Sequence, residues 1–167
     1  MLKPKLGTCY YPEHWSRDIW KSDVIRMVEL GLSWVRIGEF SWSKIEPKEG
    51  ELDWEWLDCI VELLRSHKLD IIMGTPTATP PKWVLDKYPD MLAIDELGNV
   101  RGFGSRRHYC FSHLGYRKEA ERITREMVSR YGLKVQAWQV DNEYGCHDTT
   151  LSYSQAALEG FRDWLSQ

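Results

Sequence analysis

Asp141, Asn142 and Glu143 end the short apolar run at residues 135–140. A short apolar run reads as a buried strand. A polar cluster just past such a strand, in a parallel α/β fold, falls on the face where active sites collect. An amide next to a carboxyl is a useful pair: the amide holds a hydroxyl while the carboxyl donates or accepts a proton. Asp and Asn are also favoured at helix N-caps, so the cluster alone fits either role.

Other turns of the same kind carry similar chemistry. Tyr10-Tyr-Pro-Glu-His-Trp15, Gly38-Glu-Phe-Ser-Trp42 and Gly74-Thr-Pro-Thr-Ala-Thr-Pro-Pro81 each follow an apolar run. Carboxylates, hydroxyls and flat aromatics at the carboxyl ends of strands suit a polyhydroxylated ligand. No G-x-x-x-x-G-K or G-x-G-x-x-G loop occurs, so a phosphate cradle is not indicated. Nine Trp and eight Tyr supply amphipathic faces, some for ligand and most for core. Composition is that of a globular protein, 43% hydrophobic and 28% charged, and a net charge of -3 without a basic block gives no case for nucleic acid.

The elements that must position these residues alternate. Strands are expected at residues 6–11, 34–37, 69–73 and 135–140. Helices are expected at 16–30, 57–67 and 115–131, with another from 155 to 165 and a short one opened by Pro80 and Pro81. Asp53 is a plausible N-cap, Gly31 and Gly132 end helices, and residues 91–100 read as an inserted hairpin. Trp20, Val24, Met27 and Val28 should face inward on one helix, and Ala120, Ile123, Met127 and Val128 on another. Strand and helix in alternation argue for parallel βα units. Four such units are half of the roughly eight that close a barrel. Residues 1–6 lack a signal-peptide core, and no segment is long and apolar enough to span a membrane; a cytoplasmic setting is expected.

Four blocks, taken together, resemble glycoside hydrolase family 42 β-galactosidases: Tyr10-Tyr-Pro-Glu-His-Trp15, Arg36-Ile-Gly-Glu-Phe-Ser-Trp42, Ser105-Arg-Arg-His-Tyr-Cys-Phe111 and Trp138-Gln-Val-Asp-Asn-Glu-Tyr-Gly145. The resemblance runs in order along essentially the whole chain. It implies an α/β fold of (β/α)8 TIM-barrel type, with residues 1–167 as the N-terminal portion of the catalytic domain. It implies hydrolysis of a β-galactoside by a retaining mechanism, with Glu143 as general acid/base and Asn142 and Arg106 binding the sugar. Such an acid must be protonated at the working pH, and a second carboxylate about 5–5.5 Å away must act as nucleophile. In the family that nucleophile lies on a seventh strand. Glu13, Glu39 and Asp141 are other carboxylates at this rim, none of them the family's nucleophile. The resemblance also implies a homo-oligomer, a trimer in the family. A non-catalytic sugar-binding fragment and a structural half-barrel are the competing readings.

The chain departs from the family at the metal. Many members bind zinc through a Cys in the Arg-Arg-His-Tyr-Cys block and a Cys-x-Cys-x-x-Cys cluster. Cys110 matches the first, but Ser152, Ser154 and Ala157 stand where the other thiolates belong. No metal or other cofactor is therefore expected. Cys110 with Cys146 and His147 is the remaining conceivable site. Cys9 and Cys59 read as buried small residues, His14 and His108 as hydrogen-bonded structural histidines, and Trp138 as core. Trp42 and Trp83 are candidates to stack on sugar. Arg107 rivals Arg106, and neighbours on an extended segment point opposite ways. Residues 117–122 read as a solvated charged helix face.

Overall fold

The computed structural model describes residues 4–104, 106–146 and 151–167. Four parallel strands, β1 (Gly7–Cys9), β2 (Trp34–Ile37), β3 (Asp70–Gly74) and β4 (Ala137–Gln139), lie side by side in sequence order. The helices are α1 (Arg17–Glu29), α2 (Trp42–Ile45), α3 (Glu55–Ser66), α4 (Lys82–Lys87), α5 (Leu114–Tyr131) and α6 (Gln155–Leu165). Parallel neighbours joined through helices are the product of βα crossovers. β1 and β4 each have one strand partner, so the sheet is open at both edges among the described residues.

Alternation along the strands separates core from site. Val35, Ile37, Ile71 and Met73 are fully buried on one face of the sheet. α3 packs on β3 and on α1, and contributes Trp56, Leu57, Ile60, Val61 and Leu64 to the core. Complete burial of one such side chain contributes about 1.5–3 kcal/mol. Arg36 and Gln139 occupy the opposite parity and face the other side. Arg36 is in register with Ile72, and Gly74 with Gln139.

Several elements differ from the sequence expectation, each for a physical reason. β1 and β4 are shorter than residues 6–11 and 135–140, because an edge strand has one neighbour to pair with. The hairpin expected at 91–100 is reduced to isolated bridges, Ile94 with Val100 and Leu92 with Tyr109. The Asp95 carboxylate accepts the N–H groups of Leu97 and Asn99 and closes that turn without a ladder. Val28 and Val128 are exposed. The buried stripe on α1 holds Trp20, Val24 and Met27, and on α5 it includes Ile123 and Met127; both valines lie beside it. Asp53 accepts the N–H of Glu55, one residue outside the α3 N-cap position Trp54.

Cys9 and Cys59 are exposed rather than buried, on an edge strand and on a helix. The charged segment 117–122 is not uniformly solvated. Glu119 is buried, with Lys87 Nζ at 2.9 Å and Arg122 Nε at 2.8 Å. Arg122 also reaches the fully buried Glu46 at 2.7 Å. A helix period puts one edge of a charged run against the neighbouring layer, and buried charges there need partners.

Candidate active site

Beyond β4 the chain bends sharply. Asp141 and Glu143 adopt left-handed φ values of +56° and +49° on either side of Asn142. Such conformations cost about 1–3 kcal/mol each in residues other than glycine and need support from their surroundings. Asp141 receives that support. Its N–H donates to Thr75 Oγ1 at 2.7 Å, and its carboxylate accepts from Thr77 Oγ1 at 2.7 Å and from Tyr109 Oη at 3.3 Å. Arg107 Nη2 donates to the same carboxylate at 3.3 Å, and the Asn142 N–H at 2.6 Å. Burial, then the charge of Asp141, pushes the Tyr109 phenol upward, so the hydroxyl stays a donor. The cluster is thus an anchor, and the helix-cap reading does not describe it: the next described helix, α6, is capped by Ser154.

Arg106 and Arg107 point apart, as adjacent residues should, although the backbone here is a turn with Arg107 at φ +62° rather than a strand. Arg107 is fully buried. Arg106 is partly exposed, with Nη1 3.1 Å from Glu143 Oε2 and its guanidinium over the Phe40 ring at 5.1 Å. A cavity of about 370 Å³ opens beside it, lined by Phe40, Thr79, Phe103, Arg106 and His108 among others. The sequence-predicted site residues Glu143, Asn142 and Arg106 are therefore brought to one rim. Thr75, Thr77, Tyr109 and Gln139 were not singled out from sequence. The hydroxyl-rich turn after β3 was the available signal for the two threonines.

The other rim carboxylates differ in their surroundings. Glu39 is fully buried, 2.8 Å from Arg36 Nη2. Glu13 is buried enough that desolvation raises its pKa above the usual carboxylate value. Trp42 is not free to stack on sugar, and Trp83 is partly buried. Trp42 is fully buried, and its indole N–H donates to Glu46 Oε2; that of Trp83 donates to the Glu46 carbonyl. Trp138 packs against the core and His14 is exposed, stacked on Tyr11 at 5.7 Å. His108 is buried between Phe103 and Tyr109 rings.

The residues at the family's zinc positions do not fit a thiolate-bound metal. Ser152 Oγ accepts the N–H groups of Ile94 and Ser154, Ser154 Oγ accepts the N–H of Ala157, and Ala157 offers no donor atom. Cys110 is buried and Cys146 exposed, and His147 lies outside the described residues. Among the described residues no three His, Cys, Asp or Glu side chains converge as metal ligands.

A parallel βα sheet with its polar rim at the carboxyl ends of the strands is the architecture of α/β folds whose sites collect on that face, the α/β barrel among them. Residues 9–167 match the glycoside hydrolase 42 family, described as β-galactosidase, and the chain belongs to that family. It is 54% identical to a β-galactosidase of Thermus thermophilus over 162 residues, which are 96% of this chain and 25% of that protein. The crystal structure of a β-galactosidase from the psychrophilic Marinomonas ef1 superposes with a TM-score of 0.95 at 58% identity, covering 98% of this chain and 25% of that one. The β-galactosidase of the Antarctic haloarchaeon Halorubrum lacusprofundi does so with a TM-score of 0.94 at 46% identity. The chain spans about a quarter of the length of these relatives. Its fold is of (β/α)8 barrel type, represented here by four βα units.

Proposed function

We propose that the protein carrying this segment hydrolyses terminal β-galactosides with retention of configuration. Glu143 is the general acid/base, first protonating the departing oxygen and then deprotonating water. Asn142 and Arg106 hold the galactose in the cleavage subsite. The nucleophile is a carboxylate outside residues 1–167, as the likeness to family 42 implies, and Glu39 and Asp141 at this rim each sit in an ion pair instead. The reaction needs no metal, and the protein assembles as a homo-oligomer, a trimer as in the family.

The single observation that carries this reading is the convergence of Arg106, Asn142 and Glu143 at one rim in a chain of this family. The test is turnover of a nitrophenyl β-galactoside by the native protein, with the first-formed sugar anomer read by proton NMR. β-Galactose should appear first, and Glu143→Gln should abolish turnover of substrates with poor leaving groups. First appearance of the α-anomer overturns the retaining mechanism. Galactose binding without turnover overturns the enzyme reading in favour of a sugar-binding protein.

A further inference from the structure

Gln139 links two parts of the site. Its Oε1 accepts from Arg36 Nη1 at 2.7 Å. Its Nε2 donates to the Asp141 carbonyl at 2.8 Å and to Asn142 Oδ1 at 3.3 Å. The neighbours dictate which end of each amide is which. A guanidinium has no acceptor, so Gln139 must turn its oxygen to Arg36. A backbone carbonyl has no donor, so the Gln139 nitrogen must face Asp141. The second proton on that nitrogen then meets Asn142, which must answer with its oxygen. Asn142 is left presenting Nδ2, a buried donor with no acceptor among the described residues.

The relay is held at its far end as well. Arg36 Nη2 lies 2.8 Å from Glu39 Oε1, so the guanidinium is fixed from two sides. It reaches Gln139 across β3, whose Gly74 is in register with Gln139. A Cβ at Gly74 would stand 2.6 Å from Glu39 Cβ.

We infer that Gln139 is a positioning residue that sets the Asn142 amide as a hydrogen-bond donor toward a hydroxyl oxygen of the sugar, with Arg36 fixing the polarity of the relay. The inference rests on Asn142 being a sugar ligand, as proposed above. It adds a direction to that contact: the sugar atom met by Asn142 accepts.

Two measurements on the native protein test it. Neutron diffraction locates the amide deuterons directly. Two deuterons should sit on the Asn142 atom turned away from Gln139, and in Gln139→Glu, whose carboxylate cannot donate, the Asn142 amide should reverse. A native amide in the opposite sense overturns the inference whatever the activity. The second measurement is kcat/KM on a nitrophenyl β-galactoside and its monodeoxy analogues. Asn142→Ala should erase the penalty at one deoxy position. Gln139→Glu, which turns the Asn142 amide oxygen to the sugar, should alter the penalty at that same position and no other, lower kcat/KM for the parent sugar at least tenfold, and add little in the Asn142→Ala background. Gln139→Met, which removes the donor without adding charge, should act in the same direction and serves if the Glu variant does not fold. Equal losses on every analogue, adding in full to those of Asn142→Ala, would reduce Gln139 to a structural residue and overturn the inference. A native amide oriented as inferred in a protein that turns over no galactoside leaves the donor assignment standing and removes the galactosidase reading.

Discussion

Arg106 stands 3.1 Å from the Glu143 carboxylate, while the next residue in the chain, Arg107, turns inward to Asp141 at 3.3 Å. Two adjacent arginines thus serve the two acidic residues that flank Asn142, one facing the rim and the other the interior. The outer pair is partly solvated, and such pairs contribute about 0–1 kcal/mol to stability. The inner pair is fully buried, and removing one partner of a buried pair costs about 3–5 kcal/mol because the other charge is stranded.

Arg107→Met should therefore destabilise the native protein by about 3–5 kcal/mol in urea unfolding. Arg106→Ala should change stability by about 0.5 kcal/mol or less, yet lower kcat/KM. Equal effects on stability would contradict the assignment of one arginine to the scaffold and the other to the sugar.

Glu143→Gly should remove the proton donor and leave the nucleophile. General acid–base catalysis contributes on the order of 10²–10⁴-fold, so hydrolysis of galactosides with poor leaving groups should fall by that much. Activated aryl galactosides should fall less in the glycosylation step, and azide should accelerate turnover with release of β-galactosyl azide. Asn142→Ala and Arg106→Ala should gain nothing from azide. Rescue absent in a folded Glu143→Gly protein that still binds galactose would move the acid/base role to Glu39 or Glu13.

Gly74→Ala should displace Glu39, because the added carbon meets the Glu39 Cβ at 2.6 Å and its Cα at 2.8 Å. Overpacking of this kind costs about 1–3 kcal/mol. The shift would pass through Arg36 to Gln139, and a misplacement of that order can cost on the order of 10²-fold in rate. A variant with unchanged kcat/KM and melting temperature would show that the Glu39 backbone yields freely.

Glu119 gives a pH prediction. Burial by itself raises its pKa, but the hydrogen bonds from Lys87 and Arg122 outweigh burial and hold it below the ordinary value of 4.5. A depressed carboxylate contributes stability that is complete above the unfolded-state pKa and is lost as pH falls through the folded one. Glu119→Gln should flatten the decline of unfolding free energy below pH 4.5, leaving a difference between the proteins that is largest at neutral pH. An unchanged slope in urea titrations between neutral pH and pH 3 would remove Glu119 from the acid-unfolding account.

Residues 1–167 produced by themselves should associate or aggregate, since among the described residues β1 and β4 each leave one edge unpaired and open edges template further pairing. They should not turn over a nitrophenyl galactoside. A monomeric, cooperatively melting fragment would count against the first expectation, and turnover lost on Glu143→Gln against the second.

The parallel βα order was legible because hydrophobic periodicity marks α1, α3, α5 and β2 clearly. The edge strands were overestimated because sequence shows apolar runs but not how many neighbours each strand has. Glu143, Asn142 and Arg106 were legible only through blocks of sequence; nothing in a lone Asn-Glu pair separates a site from a cap. Gln139 was hidden inside a strand run, where its importance depends on Arg36, 103 residues earlier in the chain. Glu119 and Arg122 were misread for a similar reason: their charges face Lys87 and Glu46, which are distant in sequence.

The left-handed backbone at Glu143 carries an evolutionary consequence. Glycine adopts φ near +49° without penalty, whereas glutamate does not. Folding alone would favour glycine at this position, the replacement that would delete the acid/base proposed above. If Glu143 is the acid/base proposed above, the chemistry holds a carboxylate there against the grain of the backbone. An inactive descendant of this gene, released from that constraint, should lose Glu143 early and become more stable as it does so.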